Sequence, residues 1–175
     1  DCAHGAAYKS TPTVLQELGA ETIVYGNQPN GTNINQECGS MHPANLCAKV
    51  REFRADLGIA HDGDADRLLL CDENGSLVDG DDILAICGLQ MLSEGTLAGK
   101  TVVATVMSNA GLDAAIREAG GSVIRTPVGD KHVIDTLLTE KLNLGGEQSG
   151  HLIFRDYSTT GAVLAAALKI LTTMT

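Results

Sequence analysis

The stretch Asp62-Gly-Asp-Ala-Asp-Arg67 sets three carboxylates at every second position between two apolar segments. Along a straight strand such side chains stand about 6 to 7 Å apart, too far to share one ion. The segment must therefore curl, which Gly63 permits and Ala65 does not obstruct. Once curled, three inward carboxylates repel one another unless a hard divalent cation lies among them, and burying them without a counter-ion is costly. Mg²⁺ takes oxygen ligands at about 2.0 to 2.1 Å, so Asp62, Asp64 and Asp66 are candidate Mg²⁺ ligands with one coordination position open to a phosphate. A calcium-binding helix-loop-helix is the sharpest rival, because the three aspartates fall at its positions 1, 3 and 5 and Glu73 at position 12. Its sixth position needs Gly for a sharp turn, whereas this chain has Arg67 there, and the flanks read as strands.

A second candidate is Gly145-Gly-Glu-Gln-Ser-Gly-His151. Its glycines allow tight turning and place Glu147 and Ser149 on one side of an exposed loop. A carboxylate and a hydroxyl so arranged suit the vicinal hydroxyls of a sugar. The bland reading is a glycine turn with a solvated Glu147. A position at the end of a strand favours the ligand role, because ligands of open α/β sheets gather at the carboxyl ends of strands. The third candidate, Thr126-Pro-Val-Gly-Asp-Lys-His-Val133, ends a strand and starts a helix. Lys131 or His132 could meet a phosphate near that helix N-terminus, although each alone is more often a solvated surface residue.

The elements that must position these loops follow from periodicity. Thr11–Leu18 carries Pro12 early and is followed by Gly19, the asymmetry of a helix, and Glu21–Tyr25 reads as a strand. Residues 26–38, rich in Asn, Gly and Pro, read as loop. His42–Asp56 spaces Leu46, Val50 and Phe53 as a helix does, and strands follow at 57–60 and 67–71, with a hairpin turn at 72–75 leading to Leu77-Val78. After Gly80 helices at 81–91, 112–119 and 130–140 alternate with strands at 101–106, 122–126 and 152–154, with Leu144 and its glycines between, and a terminal helix in the apolar run 161–171. Such alternation implies parallel sheets with helices on both faces. The fold class is α/β, as two mixed-to-parallel α/β/α layered domains, residues 1–79 and 80–175.

The 175 residues suffice for two compact domains. With 43% hydrophobic residues and only 3% aromatic, the core must be built from Ala, Val, Ile and Leu, which argues against a disordered chain or an all-β sandwich. No apolar run approaches the roughly 20 residues that span a bilayer, so the chain reads as soluble and cytoplasmic with no membrane partner. A net charge of −10 argues against nucleic acid. It would also repel a sugar phosphate unless a metal ion or segments from elsewhere supplied positive charge. Cys2, Cys38, Cys47, Cys71 and Cys87 are odd in number and scattered, and read as reduced, mostly buried thiols. The chain opens at Asp1 without Met and stops inside an apolar run, so both ends read as cut.

Taken together, the three loops resemble those of the α-D-phosphohexomutase superfamily, with Asp62–Arg67 similar to its metal loop and Gly146-Glu-Gln-Ser-Gly-His151 similar to its sugar-recognition loop. Asp1-Cys-Ala-His-Gly-Ala6, Pro29-Asn-Gly-Thr-Asn-Ile-Asn35, Cys38-Gly-Ser40, Thr105-Val-Met-Ser-Asn109 and Val128-Gly-Asp130 are similar to the phosphoglucosamine branch, in family order along nearly the whole chain. The resemblance implies interconversion of glucosamine 6-phosphate and glucosamine 1-phosphate through an enzyme phosphoserine and a bisphosphate intermediate. It implies that Asp62, Asp64 and Asp66 hold Mg²⁺ and that Arg67 stabilises the transferring phosphoryl group. Glu147 and Ser149, with Gly129 and Asp130, would bind the phosphosugar, and Lys131 and His151 would serve proton or phosphate contacts. No serine of this chain sits in the family's Arg-x-Ser-Gly-like setting, and its Arg-x-Ser-Gly-Thr phosphate loop is also lacking. The resemblance therefore places the chain as the second and third of four domains, inactive alone, with the first and fourth domains as partners and room for a homodimer of the full-length protein. A phosphomannomutase or phosphoglucomutase of the same superfamily, or a non-catalytic metal-binding module, stands as the alternative.

Overall fold

A computed structural model describes residues 1–157 and 163–173, and its contacts divide the chain into two units, Asp1–Val78 and Asp79–Thr175. In the first unit, helix α1 (Ser10–Glu17) follows a short 3-10 turn at Ala6–Tyr8, and helix α2 (Pro43–Phe53) starts with Pro at its first position, where no amide bond is lost. Strands β1 (Leu57–His61), β2 (Leu68–Asp72) and β3 (Leu77–Val78) form a sheet in that order. The apolar stripe of α2, Leu46, Cys47 and Val50, packs with Ala60 of β1 and Cys71 of β2. Gly58 lets the helix approach closely, since a Cβ there would lie 2.6 Å from Val50 Cγ2.

Two expectations change in this unit. Its strands pair antiparallel throughout, because the β1–β2 and β2–β3 connections are hairpins too short for a crossover. Glu21–Tyr25 is not a strand: the Cys2 and His4 amides donate to Tyr25 O (3.0 Å) and Gly26 O (2.5 Å), but the partner segment is too short for a ladder. Residues 26–38 are irregular, as their composition implies.

The second unit holds α3 (Gly80–Glu94), β4 (Thr101–Thr105), α4 (Ala110–Glu118), β5 (Ser122–Thr126), α5 (Asp130–Thr139), β6 (Leu144–Gly146), β7 (Leu152–Phe154) and α6 (Val163–Thr173). Of the expected terminal helix, residues 161 and 162 lie outside the described residues. The sheet order is β5-β4-β6-β7; β4 runs parallel to β5 and β6, and β7 pairs antiparallel with β6. β4 is buried at all five positions, as a strand covered on both faces should be. Val103, Val133, Leu137, Leu142 and Ile153 form a core between the sheet and α5. Parallel strands bring the segments after β4, β5 and β6 to one edge of the sheet. Helix α3 starts on a reciprocal cap, in which Asp79 accepts from the Asp81 and Asp82 amides and Asp82 accepts from the Asp79 amide.

All five cysteines are free and buried. No helix among the described residues is long and apolar enough to cross a membrane.

Candidate active-site loops

The aspartate segment is the tip of the β1–β2 hairpin, whose last pair is His61 with Leu68. Its curl is held from within: one oxygen of Asp62 accepts from the amides of Asp66 and Arg67, each at 3.0 Å, and the Ala65 amide donates to Asp62 O at 3.2 Å. Ala65 adopts φ +61°, the left-handed conformation that turns the chain, where the small side chain limits the steric cost. From outside, residues 34 and 35 lean on the tip, and a Cβ at Gly63 would lie 2.6 Å from the Ile34 side chain and 2.8 Å from Asn35 Nδ2. The Ala6 amide donates to Gly63 O at 2.8 Å.

The result brings carboxylate oxygens of Asp62, Asp64 and Asp66 within 4.8 Å of one another. Opposed ligands of an octahedral Mg²⁺ stand about 4.2 Å apart at a metal–oxygen distance of about 2.1 Å, so small side-chain adjustments bring the three into range. An all-carboxylate donor set fits a hard cation and suits zinc or copper poorly. Asp62 is buried and Asp64 exposed, so the group forms one wall of a site open to solvent. Arg67 Nε lies 3.9 Å from both Asp62 and Asp66, which puts a guanidinium beside the carboxylates. Glu73, the twelfth position of the calcium-loop alternative, is exposed in the β2–β3 turn, and both flanks are strands.

In the second unit, Glu147–His151 form the β6–β7 turn at the carboxyl edge of the parallel strands. The Glu147 amide donates to His151 O (2.9 Å) and the Gly150 amide to Glu147 O (3.0 Å). Glu147 Oε1 accepts from the Gly129 amide at 2.9 Å, so the carboxylate ties the β6–β7 turn to the β5–α5 turn. Gly129 takes φ +124°, a conformation side chains rarely adopt, and this aims its amide at Glu147. Ser149 is exposed at the turn, whereas His151 is buried at its base. Asp130 and Lys131 are exposed at the start of α5, where Asp130 accepts from the Lys131 amide at 2.7 Å. Thus Glu147 and Gly129 meet directly, and Ser149, Asp130 and Lys131 lie on the two turns that this bond joins.

Sequence reasoning passes over the groups that brace this edge. Arg125, on β5, donates to Thr105 O (2.6 Å), Ser108 O (3.1 Å) and Asn109 O (3.0 Å) and pairs with Asp113. Asp81 is 1% exposed and accepts from the Asn109 amide at 2.7 Å. These bonds span 12 to 28 residues, and no local pattern announces them; only the Asp79-x-x-Asp82 spacing of the helix cap is a readable signal.

Residues 79–175 match the family model for the phosphoglucomutase/phosphomannomutase alpha/beta/alpha domain III, and residues 1–75 match that for domain II. The chain belongs to the phosphoglucomutase/phosphomannomutase family. Curated relatives include the phosphoglucosamine mutases of Geobacter sp. (strain M21), 58% identical over 99% of this chain and 38% of the relative. That of Magnetococcus marinus is 57% identical over 100% of this chain and 36% of its own length. The chain thus spans well under half the length of these relatives. A phosphoglucomutase/phosphomannomutase family protein from Burkholderia thailandensis superposes with TM-score 0.81 at 27% identity, over 100% of this chain and 39% of that one. An Aspergillus fumigatus N-acetylphosphoglucosamine mutase, in complex with GlcNAc-6P and magnesium, shares the fold at TM-score 0.65 and 23% identity, over 98% of this chain and 40% of that one. Two consecutive domains of the mutase family, II and III, therefore correspond to the two units.

Proposed function

We propose that this chain is the metal-binding and sugar-binding pair of domains of a phosphoglucosamine mutase, which interconverts glucosamine 6-phosphate and glucosamine 1-phosphate. The observation that carries the reading is the convergence of Asp62, Asp64 and Asp66 at one hairpin tip with Arg67 alongside. Identities of 55–58% with several phosphoglucosamine mutases support the amino-sugar branch over the phosphomannomutase or phosphoglucomutase alternative.

In this reading Asp62, Asp64 and Asp66 hold Mg²⁺. When bound, the ion supplies charge neutralisation for a phosphoryl group in transfer between a phosphoserine of the full-length enzyme and a sugar hydroxyl. Arg67 contributes positive charge to the same phosphoryl oxygens, where charge stabilisation and positioning carry most of the acceleration. Its neighbours hold the guanidinium near the transfer position without tight pairing, since both contacts are long. Glu147 accepts hydrogen bonds from two sugar hydroxyls while its other oxygen stays on the Gly129 amide, and Ser149 adds a donor from the exposed tip. Asp130 borders the ring, Lys131 offers a cation to the phosphate away from the reacting centre, and His151 serves as a proton carrier at the base of the turn.

The test is an assay of the full-length enzyme on glucosamine, glucose and mannose phosphates, with Glu147→Ala alongside. The reading predicts the highest kcat/KM for the glucosamine phosphates and a rise in KM of at least about tenfold in Glu147→Ala, the loss expected when hydrogen bonds to a bound sugar are removed. Preference for mannose or glucose phosphate would assign the protein to the alternative branch.

A further inference from the structure

The first turn of α3 stands between two of the loops at the carboxyl edge of the second unit's sheet. On one side the Gly80 amide donates to Gln148 O at 3.1 Å and Gln148 Nε2 reaches Asp79 at 3.4 Å. A Cβ on Gly80 would lie 2.7 Å from both Gln148 O and the Gly150 nitrogen and would also run into Glu147 O, so helix and β6–β7 turn meet backbone to backbone. On the other side Asp81 Oδ2 accepts from the Asn109 amide, at the end of the segment that Arg125 grips through three carbonyls. The same β6–β7 turn carries Glu147, whose carboxylate holds the Gly129 amide. Segments after β4 and β6 are thereby linked through three successive residues, Asp79, Gly80 and Asp81, and the segment after β5 joins them through Glu147.

Asp81 is costly for folding alone. It is 1% exposed, and its Oδ1 finds no hydrogen-bond partner among the described residues. Burying a carboxylate with one bare oxygen is unfavourable, and the helix N-terminus offsets only part of that. An apolar residue of similar size would relieve the cost but leave the Asn109 amide without its acceptor. Such an exception in a buried group calls for an explanation, and the group it holds is a loop at the ligand-binding edge.

We propose that Asp81 and Gly80 are positioning residues for the sugar-binding loop: the first turn of α3 sets Glu147 and Ser149 by gripping Gln148 on one side and Asn109 on the other. The inference rests on the sugar-binding role proposed above for Glu147 and Ser149. Neither residue need touch the sugar, and Asp81 is too buried to do so.

The test uses the full-length enzyme carrying Asp81→Ala, Asp81→Asn or Gly80→Ala, with steady-state kinetics on glucosamine phosphate and thermal unfolding of each variant. Asp81→Ala and Gly80→Ala are expected to raise KM about tenfold while kcat stays within about threefold, the split that marks loss of ground-state positioning. Asp81→Asn keeps an acceptor for the Asn109 amide, so its KM is expected within about threefold of the parent's. A purely structural role would reduce the folded, active fraction and lower apparent kcat at unchanged KM; that result in both Ala variants overturns the inference. If Asp81→Ala fails to fold, Gly80→Ala decides alone, because Gly80 is not in a left-handed conformation and the three atoms nearest an added Cβ all belong to the β6–β7 turn. Glu147→Ala separates the two levels. Unchanged KM in that variant defeats the sugar-loop reading itself, whereas raised KM there with unchanged KM in Asp81→Ala and Gly80→Ala defeats only the positioning.

Discussion

Asp62 and Asp64 do different work although both face the same point. Asp62 is buried and spends one oxygen on the amides of Asp66 and Arg67, so it builds the turn as well as offering a ligand. Asp64 is exposed, and among the described residues no hydrogen bond or ion pair of its carboxylate holds the turn. Asp62→Ala should therefore remove cation binding and also cost about 1 to 3 kcal/mol of stability, because two amides lose their acceptor. Asp64→Asn should remove cation binding while leaving stability within about 0.5 kcal/mol. Denaturant unfolding of both variants checks the split; equal stability losses would count against it. The spacing of the three aspartates, with a glycine between the first two, makes the curl legible in the sequence. What held it was not legible: Ile34 and Asn35 reach Gly63 from nearly thirty residues away, out of a segment that reads only as loop.

At the scale of elements, local signals carry most of the second unit, because β4 and β5 are each followed by a helix and the sheet order follows from those crossovers, whereas β6 leads straight into β7 through a turn. The Asp79 cap is one such signal, and Asp79→Ala should destabilise the second unit by about 1 kcal/mol, the usual worth of a helix N-cap, measured as a shift in thermal unfolding. No shift would mean that the cap contributes nothing to folding. The first unit was read less well. The Asp72–Gly75 hairpin is legible and leads into β3 as expected, but the mixed-to-parallel pairing expected of both domains is antiparallel here, because the six-residue turn from His61 to Leu68 can only join antiparallel neighbours. Glu21–Tyr25 has strand-like residues without a partner of useful length, and β propensity reflects partners and packing more than backbone preference.

At the scale of the whole molecule, the chain is rich in carboxylates and holds five unpaired thiols, all buried. Burial pushes the Cys87 thiol up to about 12, and burial followed by the neighbouring Cys47 pushes Cys71 up to about 12. Since the thiolate is the reactive form, the folded chain should resist thiol reagents at neutral pH and expose all five cysteines only on unfolding. Rapid labelling of Cys71 or Cys87 in the native state would contradict that packing. The net charge of −10 would by itself repel an anionic ligand. The chain by itself should show no mutase turnover, checked by incubating it with glucosamine 6-phosphate. Measurable interconversion would refute the proposed dependence on further domains of a longer polypeptide.

The account stands most directly on the cation site proposed at the β1–β2 tip. Calorimetric titration of Mg²⁺ into the purified chain, beside its Asp64→Asn variant, measures that site without reference to turnover. The prediction is uptake of a single ion by the parent and loss of that uptake in the variant. Absence of binding to the parent, or equal binding to both, would contradict it.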